Sequence, residues 1–165
     1  MHVNEAKNGV VYLTWPALEK LSMIRHAFST RLGGVSSGYL SSMNLSYSRG
    51  DEPENVRENY RRFCEAAGFA MEQIVTSDQT HTTNVRYVTK RDCGSGVTRE
   101  RDFHEIDGMI TDEPGVVLAT FYADCVPLYF VDPVHRAIGL SHSGWRGTVH
   151  KMGQVTLNAM QERFG

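Results

Sequence analysis

From Ile74 to Ser141 the chain alternates short apolar runs with turn residues, and this rhythm limits the fold more than any other feature. The runs are Ile74–Thr76, Val85–Thr89, Met109–Thr111, Val116–Ala123, Val126–Val131 and Ala137–Ser141. Each is the length of a strand and too short for a globular helix. Upstream, Val10–Trp15, Arg25–Thr30 and Met43–Tyr47 read as further strands, and Pro16 opens a helical turn. Two segments carry helical periodicity instead. The first starts at Asp51, with Glu54 three residues on in a capping-box pattern. It places Val56, Tyr60, Phe63, Cys64 and Ala67 on one face and stops at Gly68. The second, Thr148–Phe164, aligns Val149, Met152, Thr156, Ala159 and Met160. Strands outnumber helices, which predicts an α+β fold of mixed β-sheets flanked by helices. Lys90–Glu105 is charged and aperiodic and reads as a mobile surface loop. With 165 residues and no linker or repeat, a single domain over 1–165 is expected.

Charge and composition narrow the function. Seventeen basic against nineteen acidic residues give a net charge of −2, without the basic footprint of a nucleic-acid binder. The most apolar stretch, Val116–Val131, is interrupted by Asp124 and Pro127 and is too short to span a bilayer. Glu5 breaks the N-terminal stretch, so no export signal is read there. Three cysteines at 64, 93 and 125 form no CxxC pair, which points to a reduced, cytoplasmic compartment.

Seven histidines and three cysteines sort by context. Cys64 lies on the apolar helix face and reads as core, and Cys93 reads as a free surface thiol. His26 fits a hydrogen-bonded core position, His2, His104 and His135 fit solvated ones, and His150 reads as structural. His81, Cys125 and His142 differ, because each stands where an apolar run meets polar or glycine-rich sequence. They are 44 and 17 residues apart, too far for a zinc knuckle and suited to a site built from several strands. The same residue types also suit core packing and ordinary hydrogen bonds, so spacing alone leaves both readings open. Arg31 and Arg146, each beside glycine-rich sequence, are anion candidates because a guanidinium can grip phosphate with two bonds. Gly33-Gly34 fits a plain turn, and Trp145 fits either core packing or a stacking surface.

Several motifs then occur together and in order: Ser29–Ser36, Met43–Ser46, Gly50–Pro53, Gln79–His81, Asp107–Thr111, Ala123–Pro127 and His142–Gly147. Together they resemble the bacterial YfiH/YlmD-like family, long labelled laccase-domain or polyphenol oxidase proteins. The resemblance runs from about His26 onward. It implies a fold like that of YfiH-like cysteine hydrolases. It also implies a zinc-dependent purine nucleoside phosphorylase acting on adenosine, inosine and methylthioadenosine, with adenosine deaminase activity. The implied metal ligands are His81, Cys125 and His142, with copper as the other candidate ion. Purine nucleosides and phosphate are the implied partners, Arg31, Asn44 and Arg146 are substrate or phosphate candidates, and a homodimer is an assembly it allows. Thr82 and Ser143 depart from the family's usual glycine and alanine. The family continues beyond the point where this sequence stops, so a C-terminally truncated domain is expected.

Three alternatives stay in view. Cys125 and His142 could pair as nucleophile and base of a hydrolase or deamidase, with Asp124 or Asn84 orienting the base. In the metal reading, Asp124 is instead the expected second-sphere partner. Copper-dependent polyphenol oxidation is the second alternative, and it calls for a histidine-rich cluster. The third is a non-catalytic metal-binding domain, which needs a fourth ligand such as His26 or His104.

Overall fold

The computed structural model describes all 165 residues. The chain forms two compact units, Met1–Met71 and Glu72–Gly165. In the first, β1 (His2–Glu5), β2 (Val11–Thr14) and β3 (Phe28–Ser29) make an antiparallel sheet in that order. The short helix α1 (Pro16–Glu19) begins at its proline, and the long helix is α2 (Pro53–Ala67). Gly68, at φ +75°, ends α2 in the left-handed conformation that favours glycine.

Two details of this unit depart from the sequence pattern. Met43–Tyr47 is not a strand, because Asn44 Oδ1 accepts the Ser46 N–H at 3.0 Å and turns the chain. The helix cap also differs. Pro53 occupies the first turn, Glu52 becomes the N-cap, and Asp51 lies outside the helix without forming the expected capping box. The Asp51 carboxylate instead accepts bonds from Ser36 Oγ, Asn44 Nδ2, Asn55 Nδ2 and the Glu52 N–H. These donors hold its pKa down to about 2. Fully buried Asn59 continues the network, accepting from the Val35 N–H and donating to Ser36 Oγ and the Asn44 carbonyl.

The second unit carries the mixed sheet β5-β6-β9-β8 and a parallel pair β4-β7. Their ranges are β4 (Ile74–Thr76), β5 (Val85–Tyr87), β6 (Gly108–Thr111), β7 (Val117–Ala119), β8 (Val126–Asp132) and β9 (Ala137–Ser143). Central β9 is almost wholly buried, whereas β8 is an edge strand and so accommodates Pro127. Val75, Val88, Phe103, Met109 and Val116 form one core cluster, and Ile110, Ala137 and Met160 another. The last helical segment is broken in two. Lys151, at φ +58°, separates α3 (Trp145–Val149) from α4 (Met152–Phe164). Helix α4 buries Met152, Thr156 and Met160, while Val149 stays exposed.

Residues 90–105 are also more integrated than their composition implies. Thr89 and Asp92 cap a turn reciprocally, Gly94 and Gly96 double the chain back at positive φ, and Asp92, Ser95 and Phe103 are buried. Cys93 is correspondingly not a surface thiol. It packs on the core, and its Sγ reaches the Gln73 carbonyl at 3.5 Å. The α+β architecture nonetheless follows the sequence pattern closely.

Two stability outcomes follow. Asn59→Ala leaves buried donors and acceptors unpaired and should cost about 2–4 kcal/mol, against less than about 0.5 kcal/mol for exposed Arg57→Ala, by denaturant titration. The depressed Asp51 carboxyl stabilises the fold fully above its ordinary value of 3.8, and this contribution is lost as pH falls toward 2. The gap in denaturation midpoint between the parent protein and Asp51→Asn should therefore narrow across that window.

Candidate metal centre

His142 comes from the C-terminal end of β9, Cys125 from the residue before β8, and His81 from the loop between β4 and β5. Antiparallel pairing sets His142 opposite Pro127 and Ser143 opposite Val126, which carries Cys125 to the same end of the sheet. The donor atoms of all three residues lie within 4.8 Å of one another. Cys125 Sγ is 3.8 Å from His81 Nε2, and the two imidazoles meet edge to face with centroids 4.9 Å apart. His142 is buried, Cys125 half-buried and His81 exposed, so the cluster opens to solvent on one side.

Asp107 organises this cluster from beneath. It is fully buried, and its Oδ1 accepts Nδ1–H of His142 at 2.7 Å. The same carboxylate accepts backbone N–H groups of Thr80, His81 and Thr82 and the Thr82 hydroxyl. Burial pushes this carboxyl up, but the bonds from His142, Thr82 and Thr80 outweigh it and hold it below its usual range. His81 adopts φ +64°, a conformation costly for a residue with a Cβ, and the bonds to Asp107 hold it there. With Nδ1 occupied, His142 presents Nε2 to the cluster, the arrangement common in histidine metal ligands.

The donor chemistry fits a metal ion. One thiol and two imidazoles suit zinc or copper, and tetrahedral zinc sets such donors about 3.3–3.8 Å apart. Without a cation, burial and then the neighbouring Asp124 push the Cys125 thiol up. Gly144 is required beside the cluster, because a Cβ there would stand 2.9 Å from both Cys125 Sγ and His81 Cδ2. Tyr122 packs against the His142 ring, and burial pushes its phenol up, keeping it protonated.

The structure thus brings His81, Cys125 and His142 together. Arg31 and Asn44 belong to the first unit, where both are engaged locally. The Arg31 guanidinium donates to the Tyr39 and Ser41 carbonyls, and Asn44 donates to Asp51 and the Ser46 carbonyl. Arg146 follows the cluster on α3 and is exposed, with its guanidinium 5.4 Å from the Trp145 ring centroid. Asn84 donates to the Glu105 carbonyl. Asp124 touches the thiol at 3.7 Å, as its place in the sequence suggests, and a second carboxylate, Asp107, orients His142. An aspartate heading an apolar strand and followed at once by glycine was the available signal. The two candidates for a fourth ligand have other partners: His26 Nε2 accepts the Trp15 N–H, and His104 faces Asp78.

A family model described as multi-copper polyphenol oxidoreductase laccase matches residues 25–165. The chain belongs to this family. Geobacillus stearothermophilus purine nucleoside phosphorylase YlmD is 43% identical over 124 residues, 73% of this chain and 44% of that protein. A Bacteroides thetaiotaomicron purine nucleoside phosphorylase is 39% identical over 156 residues, 93% of this chain and 57% of that one. The crystal structure of the Geobacillus YlmD superposes with a TM-score of 0.82 at 34% identity, covering 98% of this chain and 59% of that chain. The crystal structure of Bacillus licheniformis hypothetical protein YfiH gives a TM-score of 0.85 at 27% identity and the same coverage. The chain therefore spans about half the length of the curated relatives it matches. No helix is long and apolar enough to cross a membrane.

Asp107→Asn keeps the shape of the buttress and removes its charge. Metal affinity measured against a competing chelator should fall about 10- to 100-fold.

Proposed function

We propose that this chain forms the metal-centred part of a purine nucleoside phosphorylase acting on adenosine, inosine or methylthioadenosine. In phosphorolysis a phosphate oxygen bonds to C1′ of the ribose, the C1′–N bond breaks, and the base leaves with a proton. Deamination of adenosine at the same centre is the second activity in this reading. The observation that carries it is the convergence of His81, Cys125 and His142 over Asp107, in a chain whose relatives bear the phosphorylase name.

Zinc is the proposed ion, with copper second, and either supplies Lewis acidity at an open coordination position when bound. The protein's part is orientation. Asp107 fixes the tautomer of His142 and the loop bearing His81, so the donors are set before any ligand arrives. Arg146 is the first choice for phosphate, because its guanidinium has no hydrogen bond or ion pair to give up. Arg31 would have to exchange carbonyl contacts for phosphate oxygens, and Asn44 its bond to Asp51. The three free cysteines support a reducing, cytoplasmic setting.

The rival readings meet specific obstacles. A multicopper oxidase needs a histidine-rich cluster, and two of the seven histidines enter this one. His2, His26 and His135 are bound to Glu19, the Trp15 N–H and Asp132. A cysteine hydrolase is favoured by the contact between Cys125 and His81. However, its thiol is pushed up, whereas a nucleophilic cysteine needs a lowered pKa.

Cys125→Ala and His142→Ala should each remove stoichiometric metal and all turnover of adenosine with phosphate, read by elemental analysis and chromatography. Turnover retained by metal-free Cys125→Ala would overturn the zinc reading. Arg146→Ala should raise the KM for phosphate about 10- to 100-fold, the range for losing a charge-assisted hydrogen bond.

A further inference from the structure

Trp145 is 72% exposed, although indole is among the largest apolar surfaces a protein can bury and its sequence setting allows a core position. Its location gives that exposure a meaning. The preceding residue, Gly144, packs directly on Cys125 and His81, so Trp145 leaves the backbone one residue after the metal cluster. Hydrogen bonds hold the backbone on either side of it. The Gly144 carbonyl accepts both the N–H and the hydroxyl of Thr148, and Ser143 Oγ bonds the same hydroxyl. Arg146 lies along the ring at 5.4 Å and adds donor-rich positive charge beside a flat aromatic face.

We propose that Trp145 is the stacking platform for the purine ring of the nucleoside, with Arg146 beside it at the phosphate. This rests on the phosphorylase reading above and adds to it the residue that recognises the base. A planar heteroaromatic ring gains attraction on an indole face whatever its substituents, so one platform serves adenosine, inosine and methylthioadenosine alike. The hydrogen-bonded turn fixes the backbone from which the ring projects, which lowers the entropic cost of binding.

The test uses the zinc-loaded chain carrying Trp15→Phe, which leaves Trp145 as the sole tryptophan of the two in the sequence. Adenosine and hypoxanthine should quench its emission saturably, and inorganic phosphate alone should not. Trp145→Ala should raise the nucleoside KM about 5- to 100-fold, the range expected for losing one stacked base. Metal stoichiometry and the KM for phosphate should stay unchanged, and Trp145→Phe should recover most of the loss. An unchanged nucleoside KM in Trp145→Ala, with the parent active, overturns the stacking role and leaves the phosphorylase reading intact. So does Trp145 emission that is blue-shifted and shielded from acrylamide in the parent, because other protein then covers the ring. Saturable quenching by catechol and by no purine, with no nucleoside turnover, overturns both.

Discussion

The buried carboxylate of Asp107 is the interaction on which the second unit's chemistry depends. One side chain joins three stretches of chain: the start of β6, which it immediately precedes, the end of β9 with His142, and the loop with His81. A charge in so buried a position is tolerable only when its acceptors are filled, and here five donors fill them. Those donors draw the backbone of residues 80–82 into a tight wrap and set His81 in its left-handed conformation. Protein hydrogen bonds to Asp107 thus set both imidazoles, while strand pairing sets the thiol.

The first unit uses a similar device for a different purpose. Asp51 is ringed by Ser36, Asn44 and Asn55, and Asn59 completes the network from inside α2. Here the carboxylate ties two loops to a helix start. Motifs with the same chemical appearance thus divide into one that builds a loop and one that builds a metal centre. The difference lies in what else converges there: thiol and imidazole at Asp107, amide and hydroxyl at Asp51.

Much of this was legible from residues alone. Strand after strand in the second unit falls where apolar runs do, and the context of His81, Cys125 and His142 sets them apart, although spacing alone leaves structural roles equally open. What stayed hidden has a common physical cause. Asp107 looks like an ordinary turn residue because its partners are 25 to 35 positions away. The break at Lys151 falls on a lysine rather than on a glycine or proline, and so is not marked by the residue that makes it. Residues 90–105 read as surface because their polarity is satisfied internally, through Thr89, Asp92 and the glycine turns. Asp51 missed its expected cap because proline at 53 moved the helix start, a local effect that pairwise spacing does not register.

The pairing of β8 with β9 carries one more consequence. Cys125 and His142 sit at the mouth of this hairpin, with Pro127 facing His142. Slipping the pairing by one residue sends every β8 side chain to the opposite face and takes the thiol away from the imidazoles. A misaligned hairpin could not hold an ion there, while the aligned one would gain the free energy of coordination. An ion held by this cluster would therefore proofread β-register, rewarding the one alignment of the edge strand that brings thiol and imidazoles together.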